Sequence, residues 1–441
     1  MDEWRRTSLG DLCKEGVCEL QTGPFGSQLH AHDYLPDGVA VVPTEAIRER
    51  RIDHAVLPRI SKEKARTLAR HRLRPGDILF ARRGVQATGR IAVVREAETD
   101  FICGTGAIRL RISSTIDGVD GEFLSHVLAD PASIEWFKFH AIGATMPNLN
   151  EGIIRAFSFL VPPRAEQRAI AELLSAFDDK IDLNRRMNET LEAMARALFK
   201  DWFVDFGPTR AKQEGMEPYL APELWSLFPE RLDTRGKPKG WHECRLQDIV
   251  NVNPAEPLKK GIVAPYLDMA ALPTSGAIPE QAVLRDFSSG MRFRNGDTLF
   301  ARITPCLENG KTAFVQSLPE SSVGWGSTEF IVLRATPPVP AAFTYLLARH
   351  KDFRAHAIQS MTGTSGRQRA RNDAVTAYPF VNPNVEVWSA FGANIEPLFQ
   401  RIRANGDESR TLAQVRDLLL PKLMSGEIRI QNAEKAAEAV L

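Results

Sequence analysis

The chain has 441 residues, of which 43% are hydrophobic and 25% are charged, and its formal net charge is +1. This length predicts two to three domains of an ordinary soluble globular protein. Its longest apolar runs are far shorter than the ~20 residues of a membrane span, its first ten residues are polar, and its five cysteines are too sparse for a disulfide framework. We therefore expect a cytoplasmic protein without a membrane segment.

Residues 1–163 are predicted to form a mixed α/β domain. Helical patterns cover 61–69, with Ser61 as the expected N-cap, and 122–140. Short apolar or β-branched runs, separated by Gly, Pro and Asp, predict strands at 39–42, 77–80, 91–94, 107–110 and 157–161.

One segment of this domain is strongly basic. Between Glu45 and Arg95 there are fourteen Lys or Arg and five Asp or Glu, which gives a local excess of nine positive charges. An excess of this size suits a polyanionic partner. The alternative is a solvated surface that is balanced by acidic neighbours in space.

A single long helix is predicted for residues 164–206. The stretch from Ala165 to Phe206 contains no Pro or Gly, and its apolar residues recur at steps of three and four. At about 1.5 Å per residue it would be a rod of about 60 Å, and its apolar stripe requires a partner helix. The side chains expected to pair with that partner are Phe177, Ile181, Leu191, Leu198 and Trp202.

Residues 207–240 are predicted to form a connector. The stretch has five prolines and is too long for an ordinary loop, so we expect it to pack along a domain surface. Trp225 and Phe228 are the side chains that could hold it there.

Residues 241–384 repeat the first domain. Leu73–Arg82 and Phe293–Arg302 are identical at seven of ten positions, at an offset of 220, and further matching blocks follow in the same order. Chance similarity rarely keeps both offset and order, so we infer a duplication. Phe80 and Phe300 of the repeated motif are expected in the core, and the Gly-Asp pairs before them are expected in turns.

A second long helix is predicted for residues 385–430, followed by a frayed tail at 431–441. Ile402–Met424 aligns without gaps onto Ile181–Phe203. Pro421 is expected to kink or end this helix near its last turn. The side chains expected to pair with the first helix are Ile402, Leu412 and Leu419.

The predicted fold class is α+β, with two similar mixed α/β domains separated by two long helices. If these helices pair as a coiled coil, they must run antiparallel, because one leads the chain away from the first domain and the other leads it back; the particle would then be pseudo-twofold symmetric. Asn184 and Asn405 fall where the apolar stripe would otherwise continue. Polar residues at such positions commonly fix the helix register; the alternative is that both face water.

Two similar but unlike domains on a rigid bar suit the recognition of double-stranded DNA. Two domains held about 34 Å apart, the length of one turn of B-DNA, could engage successive major grooves. The long helices would then set the number of unread base pairs between the two contacts. Tethering makes the second contact effectively intramolecular. Unlike heads would read two different half-sites, which gives an asymmetric, interrupted sequence.

The candidate contacts follow from the chemistry of base and phosphate recognition. Gln and Asn pair with adenine, Arg pairs with guanine, and basic side chains neutralise phosphate. Each candidate could instead be ordinary surface. The candidates lie in the Gly-rich loop 21–30, after the repeated motif and in the stretch 362–372, and they are Gln28, His30, Arg82, Arg83, Gln86, Arg302, Arg367, Arg369 and Arg371.

No catalytic or metal site is predicted. Gly310-Lys311-Thr312 resembles the end of a phosphate-binding loop, but Pro305 stands where that motif needs Gly. Cys13 and Cys18 lack the paired spacing of a zinc site, and two neighbouring histidines alone are a weak metal site.

With these residues laid out, the chain resembles the specificity (S) subunit of type I restriction-modification systems. The resemblance rests on Ala165–Arg168 after a pair of prolines, on the helix from Lys180 to Phe206, on Leu412–Ile430 with its ending LLLPKLMSGEIRI, on the loop Gly23–Leu29 and on the two GD-x-LFAR stretches. It spans the whole chain.

The resemblance implies that each globular domain is a target recognition domain for one half of a bipartite site in double-stranded DNA. It also implies that the helices hold two modification (methyltransferase) subunits, which bring S-adenosylmethionine and adenine methylation, and that a restriction subunit could join them. This chain would bind no cofactor and carry out no chemistry itself. The competing hypothesis is a protein-interaction scaffold that does not read a DNA sequence.

Overall fold

The computed structural model describes residues 4–113, 118–143, 145–364, 366–430 and 432–433. The chain divides into two compact units, which we call the first unit (Met1–Lys180 with Thr411–Leu441) and the second unit (Ile181–Arg410). The expected frayed tail at 431–441 lies outside the described residues except for residues 432 and 433.

The first unit is a mixed α/β structure whose main sheet is antiparallel. Its strands are β1 (Arg5–Ser8), β2 (Cys18–Thr22), β3 (Tyr34–Leu35), β4 (Val39–Val42), β5 (Ile47–Arg48), β6 (Arg51–Ile52), β7 (Arg59–Ile60), β8 (Ile78–Ala81), β9 (Ile91–Val93), β10 (Ile102–Cys103), β11 (Ala107–Ile112) and β12 (Ser158–Val161). Its helices are α1 (Leu9–Lys14), α2 (Lys62–Thr67), α3 (Gly121–Ala129), α4 (Pro131–His140), α5 (Glu151–Ala156) and the first part of α6 (Arg164–Phe203). The main sheet has the order β2-β11-β8-β9, and a second sheet has the order β10-β4-β7-β3.

The second unit has the same kind of structure. Between α6 and its sheets lie α7 (Gly207–Gln213) and α8 (Pro222–Trp225). Its strands are β13 (His242–Arg245), β14 (Val250–Val252), β15 (Val263–Leu267), β16 (Val283–Asp286), β17 (Met291–Phe293), β18 (Thr298–Ala301), β19 (Thr312–Phe314), β20 (Gly324–Gly326), β21 (Phe330–Ala335) and β22 (Pro379–Asn382). Its later helices are α9 (Ala341–Arg349), α10 (Lys351–Gln359), α11 (Asn372–Thr376) and the first part of α12 (Val385–Met424).

The duplication seen in the sequence is also present in the two sheets. The second main sheet has the order β14-β21-β18-β19, and all neighbours are antiparallel, as in the first. Phe80 lies opposite Ile108, Phe300 lies opposite Ile331, and both phenylalanines are fully buried. The prediction of a repeated α/β domain, with these phenylalanines in its core, is confirmed.

The predicted helix at 122–140 is wrong in one respect. The structure has two helices there, α3 and α4, which meet at Asp130. Pro131 cannot continue α3, and the Asp130 carboxylate accepts a hydrogen bond from the Ala132 amide at 3.1 Å, which makes Asp130 the N-cap of α4. The expected N-cap of α2 is confirmed, since Ser61 Oγ accepts from the Lys64 amide at 3.0 Å.

The 207–240 stretch is partly helical and is anchored by an aromatic side chain. Phe228 is buried in the core of the second unit, and its ring centroid lies 4.9 Å from that of Trp202. This confirms Phe228 as an anchor. The helix before it ends at Phe203 rather than at Phe206, because Phe206 has a left-handed backbone (φ 54°) and lies at the start of α7.

Within the second unit, the end of α6 and the start of α12 run antiparallel. Asn184 Nδ2 donates to Ser409 Oγ at 3.3 Å, Asn405 Nδ2 donates to Asn188 Oδ1 at 2.8 Å, and Asn188 Nδ2 donates to the carbonyl of Ile402 at 3.3 Å. Partners on α12 thus descend in number as those on α6 rise. Asn184 and Asn405 are each 1% exposed, so the alternative that both face water is wrong.

Most side chains that were predicted to pair the two helices are withdrawn from solvent. Leu191, Leu198, Trp202 and Ile402 share the hydrophobic core of the second unit. Phe177, Leu412 and Leu419 are buried, and Ile181 is half-buried. The helix that contains Pro421 continues to Met424, three residues beyond the proline. In the described part of the chain no helix is long and apolar enough to cross a membrane.

Candidate nucleic-acid interface

The Gly-Asp pair of the repeated motif fixes the turn before β8 and before β18. Asp77 and Asp297 are buried, and each carboxylate accepts two hydrogen bonds from one guanidinium. Arg111 Nε and Nη2 lie 2.7 and 2.6 Å from the Asp77 oxygens, and the corresponding Arg334 atoms both lie 2.6 Å from those of Asp297. These bonds raise the pKa of both arginines. A bidentate pair of this kind ties the turn to the neighbouring strand in each unit.

The arginine that ends the motif closes a hairpin in each unit. Arg82 Nε donates to Asn148 Oδ1 at 3.0 Å and to the carbonyl of Leu149 at 3.2 Å, and the Leu149 amide donates to the carbonyl of Arg82 at 2.8 Å. In the second unit, Arg302 Nη2 donates to the carbonyl of Ala370 at 2.9 Å, and the Ala370 amide donates to the carbonyl of Arg302 at 2.8 Å. Both arginines are half-buried. Their predicted contact with DNA stays a prediction. In the structure their guanidinium groups donate hydrogen bonds to the segments that follow the hairpins.

The two hairpins that these arginines close have the same base. The first hairpin, of which residues 142–143 and 145–148 are described, is closed by a pair of backbone hydrogen bonds between Ile142 and Asn148, of 3.0 and 2.9 Å. The second hairpin, of which residues 362–364 and 366–369 are described, is closed in the same way between Thr362 and Arg369, at 3.1 and 2.9 Å. The glycine that follows the first residue, at 143 and 363, has a positive φ in both (107° and 127°), which favours glycine.

Other candidate residues of the first unit lie at the same end of its main sheet. Arg83 and Gln86 are exposed on the turn after β8, and Arg83 Nη2 donates to the carbonyl of Thr105 at 3.4 Å. The loop with Gln28 approaches the same 104–106 segment, because a Cβ at Gly23 would lie 1.9 Å from the carbonyl oxygen of Gly104. Only glycine allows this approach.

The side chains of Gln28 and His30 are exposed but have local contacts. Gln28 Oε1 accepts from the Phe25 amide at 3.1 Å, which holds the loop closed on itself. The His30 ring stacks on His32 with centroids 5.1 Å apart. Both could still present polar atoms to a ligand.

The arginines of the second hairpin differ in how free they are. Arg369 makes a bidentate pair with Glu329, with Nη2 at 2.7 Å from Oε1, and Nε of Arg371 lies 3.0 Å from the Asp373 carboxylate. Arg367 is exposed, and the structure gives its guanidinium no partner among the described residues. Arg367 is therefore the arginine of this group with the most freedom to meet a ligand.

The basic stretch 45–95 is partly neutralised by acids from elsewhere in the first unit. Arg50 pairs with Glu122 at 2.7 Å, Lys64 pairs with Asp33 at 3.1 Å, and Arg72 pairs with Asp100 at 3.3 Å. Arg50 also contacts Asp178. The alternative of acidic neighbours in space therefore accounts for part of the excess, and exposed Arg83 belongs to the rest.

The described residues contain no group of three or more His, Cys, Asp or Glu side chains that could hold a metal ion. Cys13 and Cys18, which lack zinc spacing, are free thiols with Sγ atoms 3.1 Å apart, and burial raises the pKa of Cys18. Lys311, in the stretch that resembles a phosphate loop, donates to the carbonyl of Met269 at 2.7 Å.

Sequence reasoning missed several residues that build these sites. Arg111 and Arg334 hold the turns, Asn148 receives Arg82, and Glu329 holds Arg369. One signal was available, because the pairs Leu110-Arg111 and Leu333-Arg334 occupy matching places in the repeat. No sequence pattern marked Asn148 or Glu329, since each meets its partner through contacts between distant loops.

A family model described as "Type I restriction modification DNA specificity domain" matches residues 59–193. The chain is 27% identical over 340 residues to the type I restriction enzyme MjaIX specificity subunit of Methanocaldococcus jannaschii, which covers 72% of this chain and 71% of that protein. It is 23% identical over 480 residues to the type I restriction enzyme HindI specificity subunit of Haemophilus influenzae, which covers 97% of this chain and 100% of that protein.

The fold is also that of a solved structure. The crystal structure of the type I restriction-modification system S subunit from M. genitalium matches with a TM-score of 0.53 and 16% identity, over 96% of each chain. Together with the repeated domain and the two long helices, these findings show that the chain is similar to type I restriction-modification specificity subunits over most of its length.

Proposed function

We propose that this chain selects the DNA target of a type I restriction-modification complex by reading a bipartite, interrupted site, with one half-site for each unit. The observation that carries the proposal is the repeated hairpin, which has the same base in both units but different exposed side chains. Because the two hairpins are closed in the same way, they occupy equivalent positions in their units. Their exposed side chains differ, which gives each hairpin a different preference for the DNA sequence.

The exposed polar groups beside the hairpins have the chemistry that DNA recognition needs. Arg83 and Gln86 lie next to the base of the first hairpin, and Arg367 lies near the tip of the second. Guanidinium and amide groups make bidentate contacts with guanine and adenine in the major groove, and they also bind phosphate. Loops that a rigid sheet positions are common sites for such contacts.

The chain itself would be non-catalytic and would act by holding partners. Two modification subunits would bring S-adenosylmethionine and methylate adenine, restriction subunits could join them, and the complex would work in the cytoplasm. Exposed apolar side chains on the long helices support a docking role: Leu183 and Met194 on α6, and Leu418 on α12.

The proposal is tested by measuring binding and methylation by the chain with its modification subunits. Sequencing of methylated adenines in the source genome should give one interrupted site, and a mobility-shift assay on that site should show steep loss of affinity with salt. Arg83→Ala with Gln86→Ala should relax one half-site only, and Arg367→Ala should relax the other. Lys239→Ala, which removes an exposed charge on the 207–240 stretch, is the control.

Binding that is indifferent to DNA sequence would favour the competing hypothesis of a protein-interaction scaffold. A methylation pattern in which Arg83→Ala and Arg367→Ala change the same half-site would also contradict the proposal.

A further inference from the structure

The two hairpins are closed by the same backbone hydrogen bonds, but the side chains exposed at their tips differ in polarity. In the first hairpin, Ile142 and Met146 are 63% and 62% exposed, and on the adjacent turn after β8 Val85 is 71% exposed. The turn contacts this hairpin, since Arg83 bridges Asn148 and Thr88 Oγ1 donates to the carbonyl of Pro147 at 3.2 Å. The first unit therefore presents apolar side chains on two adjoining loops.

The corresponding positions of the second unit are polar. Thr362 stands where the first hairpin has Ile142, and the tip carries Gly366 and the exposed Arg367. Among the described residues of 302–311 and 361–371 no large hydrophobic side chain is strongly exposed. Arg369 pairs with Glu329 and Arg371 pairs with Asp373, so among the described residues of 362–371 only the side chain of Arg367 is a cation without an ion-pair partner.

Exposed apolar side chains on a loop tip are costly to keep in water unless they meet a partner. The exposed Arg83 lies beside these apolar side chains, and the equivalent hairpin of the second unit carries the exposed Arg367. The partner that fits both features is therefore a polyanion that carries an apolar group. Thymine supplies one, because its C5 methyl group projects into the major groove, where apolar side chains contact it. Guanine supplies the matching acceptors for Arg367, at O6 and N7.

We infer that the first hairpin reads thymine methyl groups through Ile142 and Met146, whereas the second hairpin reads guanine through Arg367. This inference rests on the proposed function and deepens it, because it assigns a different recognition chemistry to each half-site. The two units share a scaffold, and the tip residues set the base preference.

The experiment replaces single atoms of the DNA and leaves the protein complete. In the complex of the chain with its modification subunits, deoxyuridine is substituted for each thymidine of the methylated site, which removes only the methyl group. The expected loss in affinity is about fourfold for each contacted methyl, the value for burying one carbon. The loss should occur in one half-site only. In the other half-site, 7-deazaguanine in place of the contacted guanine should cost about fivefold or more.

Variants then connect each loss to its hairpin. The double variant Ile142→Ala with Met146→Ala should bind thymidine and deoxyuridine sites equally well, while it keeps its sensitivity to 7-deazaguanine in the other half-site. Arg367→Ala should show the reverse pattern. Leu284→Ala is the matched control, because Leu284 is 70% exposed on a strand of the second unit and outside both hairpins. Thermal unfolding checks that each variant is folded.

Three results would overturn the inference. The wild-type complex could bind thymidine and deoxyuridine sites equally well in both half-sites. The double variant could also lose as much affinity as the wild type when deoxyuridine replaces thymidine. The folded double variant could also fail to assemble with the modification subunit, which would make the tip a protein contact. A complex that prefers no sequence at all would instead refute the proposed function itself, so the two failures are distinguishable.

Discussion

Replacing Asp178 with alanine should destabilise the first unit by about 3 kcal/mol. Asp178 on α6 is the acceptor that two arginines share: its Oδ1 accepts from Arg416 Nη1 of α12 at 2.5 Å, and its Oδ2 accepts from Arg50. Arg50 is buried and also pairs with Glu122 at 2.7 Å. The aspartate therefore joins both long helices to the sheet domain within this unit.

The magnitude follows from the burial of the arginines that would lose their partner. Breaking a buried ion pair by removing one member costs about 3–5 kcal/mol, because the other charge stays buried without compensation. We expect the lower end, since Glu122 still faces Arg50 and Asp417 still contacts Arg416 at 2.7 Å. Burial lowers the pKa of Arg50, and the neighbouring charges of Asp178 and Glu122 oppose this effect, so removing Asp178 takes away part of what keeps the buried guanidinium charged.

The second unit offers a natural comparison. At the helix offset of 221, Phe399 corresponds to Asp178 and Ala195 corresponds to Arg416. Ala277 corresponds to Arg50, because each residue's carbonyl accepts a hydrogen bond from the amide of the equivalent edge-strand residue, Phe314 for Ala277 and Val93 for Arg50. These residues are buried and apolar. Replacing the whole charged set of the first unit with apolar residues should therefore cost much less than removing Asp178 alone.

Amide hydrogen exchange of the complete chain measures this effect, because it reports opening free energies for each unit separately. In Asp178→Ala the protected amides of α3 and β9 should exchange faster, with the second unit unchanged. Asp179→Ala, the same change at the exposed neighbouring position, should shift stability by less than about 0.5 kcal/mol. Equal effects of the two variants, or a loss below about 1 kcal/mol for Asp178→Ala, would refute the reasoning.

Further predictions concern the helix seam, the hairpins, the buried histidine and the long helices. Asn405→Ala should lower the free energy of unfolding of the second unit by about 1–2 kcal/mol in chemical denaturation, because the buried Asn405 amide is lost and the half-buried Asn188 Oδ1 loses its donor; no change would contradict a structural role. Arg82→Gln and Arg302→Gln should each weaken binding to one half-site by roughly tenfold, with circular dichroism unchanged, since each loosens one hairpin. Burial lowers the pKa of His71 from 6.5 to about 4, so the folded state resists protonation. The first unit should therefore lose roughly 1–3 kcal/mol as the pH falls from about 6.5 to 4, and His71→Gln should remove that part of the pH dependence in denaturation curves. Deleting about two helical turns from both long helices should shorten the unread spacer of the methylated site and leave the half-sites unchanged; altered half-sites would refute it.

The features that the sequence predicted well depend on near neighbours. The helix at 164–203 follows from apolar residues at steps of three and four and from the absence of Pro and Gly, which act within one or two turns. The Gly-Asp turn and Phe80 follow from turn chemistry and from a short apolar run. The repeat added a second, independent reading of the same local signals at 293–302. The break at Asp130 was also local, and Asp-Pro was the signal for it.

The sequence also placed Asn184 and Asn405 at equivalent points of two helices but left open whether they faced each other or water. That choice depends on how α6 and α12 pack within the second unit, where Asn405 meets Asn188.

The sequence alone determined that two similar domains alternate with two long amphipathic helices, because periodicity and internal identity are properties of the chain itself. The tertiary structure alone decided that Arg82 holds a hairpin, that Arg50 is buried against Asp178, and that Arg367 is exposed while Arg369 is paired with Glu329. These pairs are separated by between 40 and 128 residues. Contacts at such separations depend on strand register and helix docking, which no local pattern of one sequence encodes.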